Sequence, residues 1–224
     1  MPERHEITLP EAGLRPAGLP SLGFGVNGVS DWSTQHPFLN LMKSARGWVG
    51  HTGDQWGAVT TDELRAGGHL NALDYPVSLP QGVEAIEAVL LTDQDAGQDW
   101  LRGDYVVTFQ GTGTPKLTGR AKRVRYDDGR ITFRYEPGEG LVGLRLDEVS
   151  ADDPIRDIAI VKQEFLPLYQ AGALFNPLWL DRIQDARSVR FMDWMLTNGS
   201  PITTWADRPV MDSANWQDWG VPAE

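Results

Sequence analysis

The sequence contains no cysteine among its 224 residues. This absence excludes disulfides, zinc–thiolate sites and thiol nucleophiles. Basic residues are in the minority, because 20 lysines and arginines stand against 31 aspartates and glutamates, which gives a formal net charge of −11. A chain this acidic is a poor candidate for nonspecific binding of nucleic acid, so we expect no nucleic-acid partner.

Long apolar runs are also missing. No window approaches the roughly 18 consecutive apolar residues of a membrane span, so none is expected. Residues 1–21 are rich in Pro, Gly and Glu without periodicity, which is typical of a loose lead-in, and they lack the pattern of a signal peptide. Phosphate-binding glycine motifs, a Gly-x-Ser-x-Gly elbow and histidines at metal-ligand spacing are absent too. We therefore predict no cofactor and no metal.

Both flanks of the chain predict α/β structure. In residues 22–54, a strand at the start, a helix over 36–45 and a strand over 46–49 follow one another. In residues 166–224, a helix over 176–186 begins at a favourable N-cap, Asn, and has Pro at its first position. A strand from Ser188 that ends in Asp-Trp follows it. These patterns are typical of βαβ units, whose strand ends commonly carry functional side chains.

The central region, residues 55–165, has a different pattern. Turn residues recur at short intervals and no helix is predicted, which is typical of an antiparallel sandwich or jelly roll. Hairpin turns are predicted at 127–129 and 137–140. Strands are predicted over 86–92, 103–110, 117–126, 130–135, 142–149 and 155–161.

The predicted fold class is therefore α+β. A mainly antiparallel, jelly-roll-like β-sandwich at 55–165 is inserted into the first strands and helices of an incomplete (β/α) barrel. The barrel parts are 22–54 and 166–224, after the lead-in at 1–21. Three parallel strands would leave apolar faces uncovered, so we expect the barrel to continue past residue 224.

Tryptophan is unusually abundant, with nine residues that cluster near both flanks of the chain beside polar residues. Trp rings pack against flat apolar faces, including those of sugars, while Asp, Asn and His bind hydroxyl groups. We predict a sugar-binding mouth from these residue types, although core roles for each Trp and a structural Arg190–Asp193 ion pair remain alternatives. The candidate substrate-binding residues are Asp31, Trp32, Trp48, His51, Arg190, Asp193, Trp194, Asn198 and Trp205.

Several segments resemble a known family. Residues 25–34, 104–113, 175–177 and 190–198, with the block Arg-Phe-Met-Asp-Trp-Met, are similar to large bacterial proteins labelled cellulose-binding or glycoside-hydrolase-like. Residues 205–209 and 220–224 extend the resemblance, which covers nearly all of the chain from about residue 22. It implies a (β/α) barrel of the retaining-glycosidase type. It also implies a catalytic Glu in a later Ser-Asn-Glu segment, beyond residue 224.

We therefore expect the N-terminal portion of a glycoside-hydrolase-like protein that binds and hydrolyses a β-linked polysaccharide. The alternative is a non-catalytic carbohydrate-binding protein, and a sandwich that only braces the barrel is a third possibility. Asp31 and Asp193 are candidates for the carboxyl pair that glycosidases need, but the catalytic residues stay unassigned. The expected location is extracellular or periplasmic, and the oligomeric state is left open.

Overall fold

The structure is a computed structural model that describes residues 22–222, so the predicted lead-in over 1–21 lies outside the described residues. Within this range the strands are β1 (Gly23–Gly25), β2 (Val49–Thr52), β3 (Gln55–Val59), β4 (Ala85–Leu90), β5 (Gly103–Gln110), β6 (Lys116–Gly119), β7 (Lys122–Asp127), β8 (Arg130–Tyr135), β9 (Val142–Leu146), β10 (Arg156–Lys162) and β11 (Ser188–Arg190). The helices are α1 (Thr61–Ala66), α2 (Leu166–Gln170) and α3 (Pro177–Ile183), and 3₁₀ turns occur at Leu41–Ser44, Asp99–Leu101, Gln163–Phe165 and Trp205–Asp207.

Most of the strands form two antiparallel sheets, of four strands in the order β10-β5-β8-β7 and of five strands in the order β3-β2-β4-β9-β6. One apolar core contains side chains from both sheets, such as Ile86 of β4, Val107 of β5 and Phe133 of β8. β8 illustrates the sequence pattern behind this arrangement, because Ile131, Phe133 and Tyr135 are buried and alternate with polar residues. The fold is mostly antiparallel β with few helices, which is consistent with the predicted sandwich.

Two predictions within the β-rich region were wrong. The strand predicted over 117–126 is two strands, β6 and β7, which lie in different sheets and are separated at Gly119, whose φ is +66°. The turn at 137–140 is not a hairpin, because it connects β8 of one sheet to β9 of the other. Arg120 stabilises this connection by donating hydrogen bonds to the backbone oxygens of Glu136, Pro137 and Glu139.

A separate parallel pair joins the two flanks of the chain. β1 pairs with β11 in parallel register, from Gly23 opposite Ser188 to Gly25 opposite Arg190. α3 leads into β11 and begins as predicted, with Asn176 accepting a hydrogen bond from the Leu178 N–H and Pro177 at the first position. β11 ends at Arg190, earlier than predicted, because residues 192–198 form consecutive turns.

The segment from 36 to 66 also departs from prediction. The helix predicted over 36–45 is reduced to the 3₁₀ turn at Leu41–Ser44, since His36 has a φ of +43° and Phe38 bridges to Phe175. β2 pairs antiparallel with β3 and β4 rather than parallel with β1, so the predicted boundary at 54/55 falls inside the β2–β3 hairpin. Helix α1 lies where no helix was predicted.

A second core lies beside the parallel pair. Its buried residues include Phe38, Trp179, Trp194 and Trp216, and the rings of Trp179 and Trp194 stack with centroids 5.6 Å apart. The C-terminal segment contributes the fully buried Trp216. These aromatic rings pack the β1–β11 pair against the segment that follows it, and they fix the loops at its carboxyl end.

His36 lies buried near both cores. Its Nε2–H donates to Oε1 of Gln94 at 2.9 Å, since the Gln94 amide nitrogen is occupied by the Thr92 carbonyl. Burial lowers the pKa of His36 from its ordinary 6.5 to about 4, and the hydrogen bond to Gln94 opposes this only in part. His36 is therefore a neutral structural residue at neutral pH.

We predict that His36 makes the fold acid-sensitive. As the pH falls from 6.5 to about 4, the unfolded chain binds a proton at His36 that the folded chain does not, so stability declines by about 3 kcal/mol. In His36→Gln, which keeps a donor for Gln94 and cannot titrate, this part of the decline is expected to vanish. Urea denaturation of both proteins across this interval measures it, and equal slopes would refute the assignment.

Candidate functional site

Asp31 lies past the end of β1 but does not face solvent. Its buried carboxylate accepts hydrogen bonds from Arg46 Nη2 at 2.8 Å, Arg46 Nε at 3.3 Å and Thr92 Oγ1 at 2.5 Å. Its backbone N–H donates to Gln217. The prediction that Asp31 contacts substrate therefore needs correction. Both of its carboxylate oxygens accept hydrogen bonds from Arg46 or Thr92, and these bonds hold the loop that follows β1.

Trp48 and Trp194 are also removed from the predicted mouth. Trp48 is fully buried in the core between the sheets, and Trp194 is buried in the aromatic core beside β11. Trp194 contacts Phe38, Phe175, Trp179 and Phe191 through its ring. Neither ring leaves a face for a sugar, so both tryptophans pack the cores instead.

His51 belongs to a buried polar network on the five-stranded sheet. Its Nδ1 accepts the Gly57 N–H at 2.9 Å, so its Nε2–H donates to Oε2 of Glu87, also at 2.9 Å. Glu87 additionally accepts from Trp56 Nε1 at 3.0 Å and from Thr118 Oγ1 at 2.5 Å. The network ties β2, β3, β4 and β6 together, which corrects the prediction of a substrate-binding His51.

Three other candidates are exposed but lie outside the main cleft. Trp32 and Trp205 have 63% and 74% of their surface exposed, and the Arg208 guanidinium lies over the Trp205 ring. Arg190 donates to Sδ of Met192 at 2.7 Å. No ion pair joins Arg190 to Asp193 within residues 22–222, so the alternative of a buried structural pair was also wrong.

Asp193 and Asn198 do line a common site. They border an open cleft of about 770 Å³ at the carboxyl end of the parallel pair, where Gly28 follows β1 and Asp193 follows β11. This is where the topology was expected to place functional side chains. The cleft is lined by Gly28, Thr60, Thr61, Asp62, Arg65, Asp193, Leu196, Thr197, Asn198, Gly199, Pro201, Asp218 and Trp219.

A second depression of about 610 Å³ adjoins the first and shares Arg65, Pro201 and Trp219 with it. Its other walls come mainly from residues 70–74 and 206–210. The two depressions together form a groove, which we call the Trp219 groove, that runs past the shared residues.

Arg65 organises the centre of this groove. Its guanidinium binds Asp74 and Asp218, each at 2.8 Å, and lies 4.6 Å from the Trp219 ring centroid. Burial lowers the pKa of Arg65, but hydrogen bonds and charges of Asp74 and Asp218 outweigh it and raise that pKa above its ordinary value. Trp219 Nε1–H donates to Asp74 at 2.7 Å, so the indole is held rigidly in the wall.

Most of these groove residues were not predicted from the sequence. Thr60 and Glu63 form a capping box that begins α1 and positions Arg65. The Thr-x-x-Glu pattern was a local signal for this helix. Arg65 and Asp218 are 153 residues apart, however, and no local pattern indicates that pairing.

Residues 22–222 contain no group of three or more histidines and carboxylates placed to hold a metal ion. In the same range, no helix is long and apolar enough to cross a membrane. Comparison of the chain with protein-family models, with curated proteins and with solved structures found no significant match.

Proposed function

We propose that the Trp219 groove binds a β-linked polysaccharide, and that the chain is the N-terminal portion of a glycoside-hydrolase-like protein. The observation that carries the proposal is the groove itself, where an anchored indole lies between two adjoining polar depressions. Hydroxyl, amide and carboxylate groups of Thr197, Asn198 and Asp193 border it. Such groups hydrogen-bond sugar hydroxyls, and an indole wall packs against the apolar face of a sugar ring.

The finer fold is part of this proposal. We infer that the two antiparallel sheets form a jelly-roll-like sandwich, inserted between the first two parallel strands of a (β/α) barrel, β1 and β11. In such barrels, ligands bind at the carboxyl ends of the strands, where the groove opens. An extracellular or periplasmic location, where polysaccharides are encountered, belongs to the same proposal.

Hydrolysis requires two suitably placed carboxyl groups. In the groove, Asp62 and Asp218 both bind Arg65, whereas Asp193 has no ion-pair partner within the described range. Asp193 is therefore the carboxylate best placed to contact a sugar. The resemblance supports a catalytic Glu outside the 224 residues, so cleavage is proposed for the longer protein and binding for this chain.

Non-catalytic carbohydrate binding remains a second candidate. The commitment of Asp62 and Asp218 to Arg65 favours it, because both carboxylates have a structural role that competes with acid–base chemistry. The two candidates make the same prediction for binding by this chain. They differ in whether any form of the protein cleaves glycan.

We predict that Asp193→Ala combined with Asn198→Ala weakens glycan binding by about tenfold or more, because it removes two exposed hydrogen-bonding groups from the groove. Pull-down on insoluble cellulose and titration with soluble β-glucans measure the effect. Asp152→Ala, at an exposed carboxylate elsewhere, is the control and is expected to bind normally. Equal binding by all three proteins, or none by the unaltered chain, would refute the proposed site.

A further inference from the structure

The β7–β8 hairpin carries an unusual charge. Five of the 20 lysines and arginines lie within residues 122–134, where only Asp127 and Asp128 are acidic, although the whole chain has a net charge of −11. β7 is the edge strand of the four-stranded sheet, and most of its residues are exposed. The hairpin is therefore a local basic surface on an acidic protein.

The strand register places several of these cations on one face. Ile131 and Phe133 of β8 enter the core, so Arg130, Thr132 and Arg134 point outward. Lys122 lies directly opposite Arg134, and Arg125 lies opposite Thr132. Arg134 already forms ion pairs with Asp104 and Glu136, so the charge that this face offers to a ligand comes from Lys122, Arg125 and Arg130.

Neighbouring charges leave this face largely uncompensated. Lys122, Arg123, Arg125 and Arg130 make no ion pair with any residue of 22–222. Asp127 lies opposite Arg130 in the register without reaching ion-pair distance. Several exposed cations outside this face are paired: Lys116 with Asp147, Arg102 with Asp99 and Glu136, and Arg156 with Asp153.

A bulge shapes the same surface. The register of β7 shifts between Lys122 and Arg125, and Arg123 within this shift has a φ of +52°. Charges and bulges on an edge strand also prevent pairing with other chains, which is the competing explanation. That explanation does not account for Arg130, because β8 is an inner strand with β5 and β7 on its two sides.

We propose that the outward face of β7 and β8, with Lys122, Arg125 and Arg130 as its main contacts, binds an acidic polysaccharide through its uronate carboxylates. Arginine forks bind planar carboxylates in a bidentate manner. The outward face of these strands carries no aromatic ring for stacking nucleic-acid bases, because Tyr126, although 48% exposed, lies opposite the core residue Ile131 and so on the other face of the sheet.

Binding of polygalacturonate at two ionic strengths tests this proposal, with a neutral β-glucan and single-stranded DNA as reference polymers. The test variant is Lys122→Gln/Arg125→Gln/Arg130→Gln, which is expected to weaken polygalacturonate binding by on the order of tenfold while the unfolding midpoint stays close to that of the unaltered chain. The matched control, Lys116→Gln/Arg102→Gln/Arg156→Gln, removes the same charge at paired exposed positions.

Salt-sensitive polygalacturonate binding that is lost in the test variant and kept in the control supports the proposal. It is overturned if the unaltered chain shows no such binding, if the control loses as much affinity, or if DNA binds equally well. The result is independent of the Trp219 groove, because Asp193→Ala/Asn198→Ala leaves this face intact and is expected to bind polygalacturonate normally.

Discussion

Gly143→Ala is expected to destabilise the protein by at least about 3 kcal/mol, because the added methyl group has no space. Gly143 lies in β9, and a Cβ there would overlap Oε1 of Glu87 and Oγ1 of Thr118. The Glu87 carboxylate cannot move aside cheaply, since His51, Trp56 and Thr118 all donate hydrogen bonds to it. Urea denaturation measures the loss.

Gly25→Ala is the matched control for this prediction. Nothing lies within 4 Å of the Cβ position at Gly25, so the stability of this variant is expected to differ from that of the unaltered protein by less than about 1 kcal/mol.

A second pair of variants tests the hydrogen-bond network around Glu87 itself. Glu87→Met leaves three donors without an acceptor and is expected to cost about 3 kcal/mol, whereas Glu87→Gln keeps an acceptor and costs less. Equal stabilities within either pair would contradict the role assigned to this network.

Asp31→Asn is expected to lower stability by about 2–3 kcal/mol without changing the glycan affinity of the folded protein. The substitution removes the buried negative charge and one of the two hydrogen bonds with Arg46, because one acceptor becomes a donor facing that guanidinium. We expect this loss of stability to be smaller than for a fully buried ion pair, because the Arg46 side chain is 35% exposed.

Asp193→Asn provides the opposite case. Asp193 is exposed and borders the groove, so this variant is expected to keep its stability and to lose glycan affinity. Thermal unfolding and glycan titration of both variants separate the two roles. If Asp31→Asn reduced affinity while leaving stability unchanged, Asp31 would be a ligand contact, as the sequence first indicated.

Much of the β-rich region could be predicted because its signals are local. β5 and β8 have the predicted bounds, and β8 alternates apolar and polar residues. The Asp-Asp-Gly turn between β7 and β8 is confirmed, with Gly129 at a φ of +63° that few other residues adopt. The sheet that a strand joins depends on residues distant in the sequence. The division of the strand predicted over 117–126 into β6 and β7 was therefore missed.

The site was less predictable. The sequence predicted Asp193 at the end of a parallel strand, and the structure places it past the end of β11, where it borders the cleft. Burial of Trp48 and Trp194 could not be predicted, because tryptophan suits both cores and sugar-binding surfaces and only tertiary packing decides between them. The Arg65–Asp218 contact depends on a fold that brings distant segments together, so no local sequence pattern indicates it.

The central claim is that glycan binds in the groove beside Trp219. The most direct measurement is a glycan titration of ¹⁵N-labelled protein that follows the indole N–H signals of the nine tryptophans, assigned by single Trp→Phe variants. We expect the Trp219 signal to shift while those of the buried Trp48 and Trp194 stay in place. Shifts at Trp32 or Trp56 with Trp219 unmoved would contradict the account and place the glycan elsewhere on the molecule.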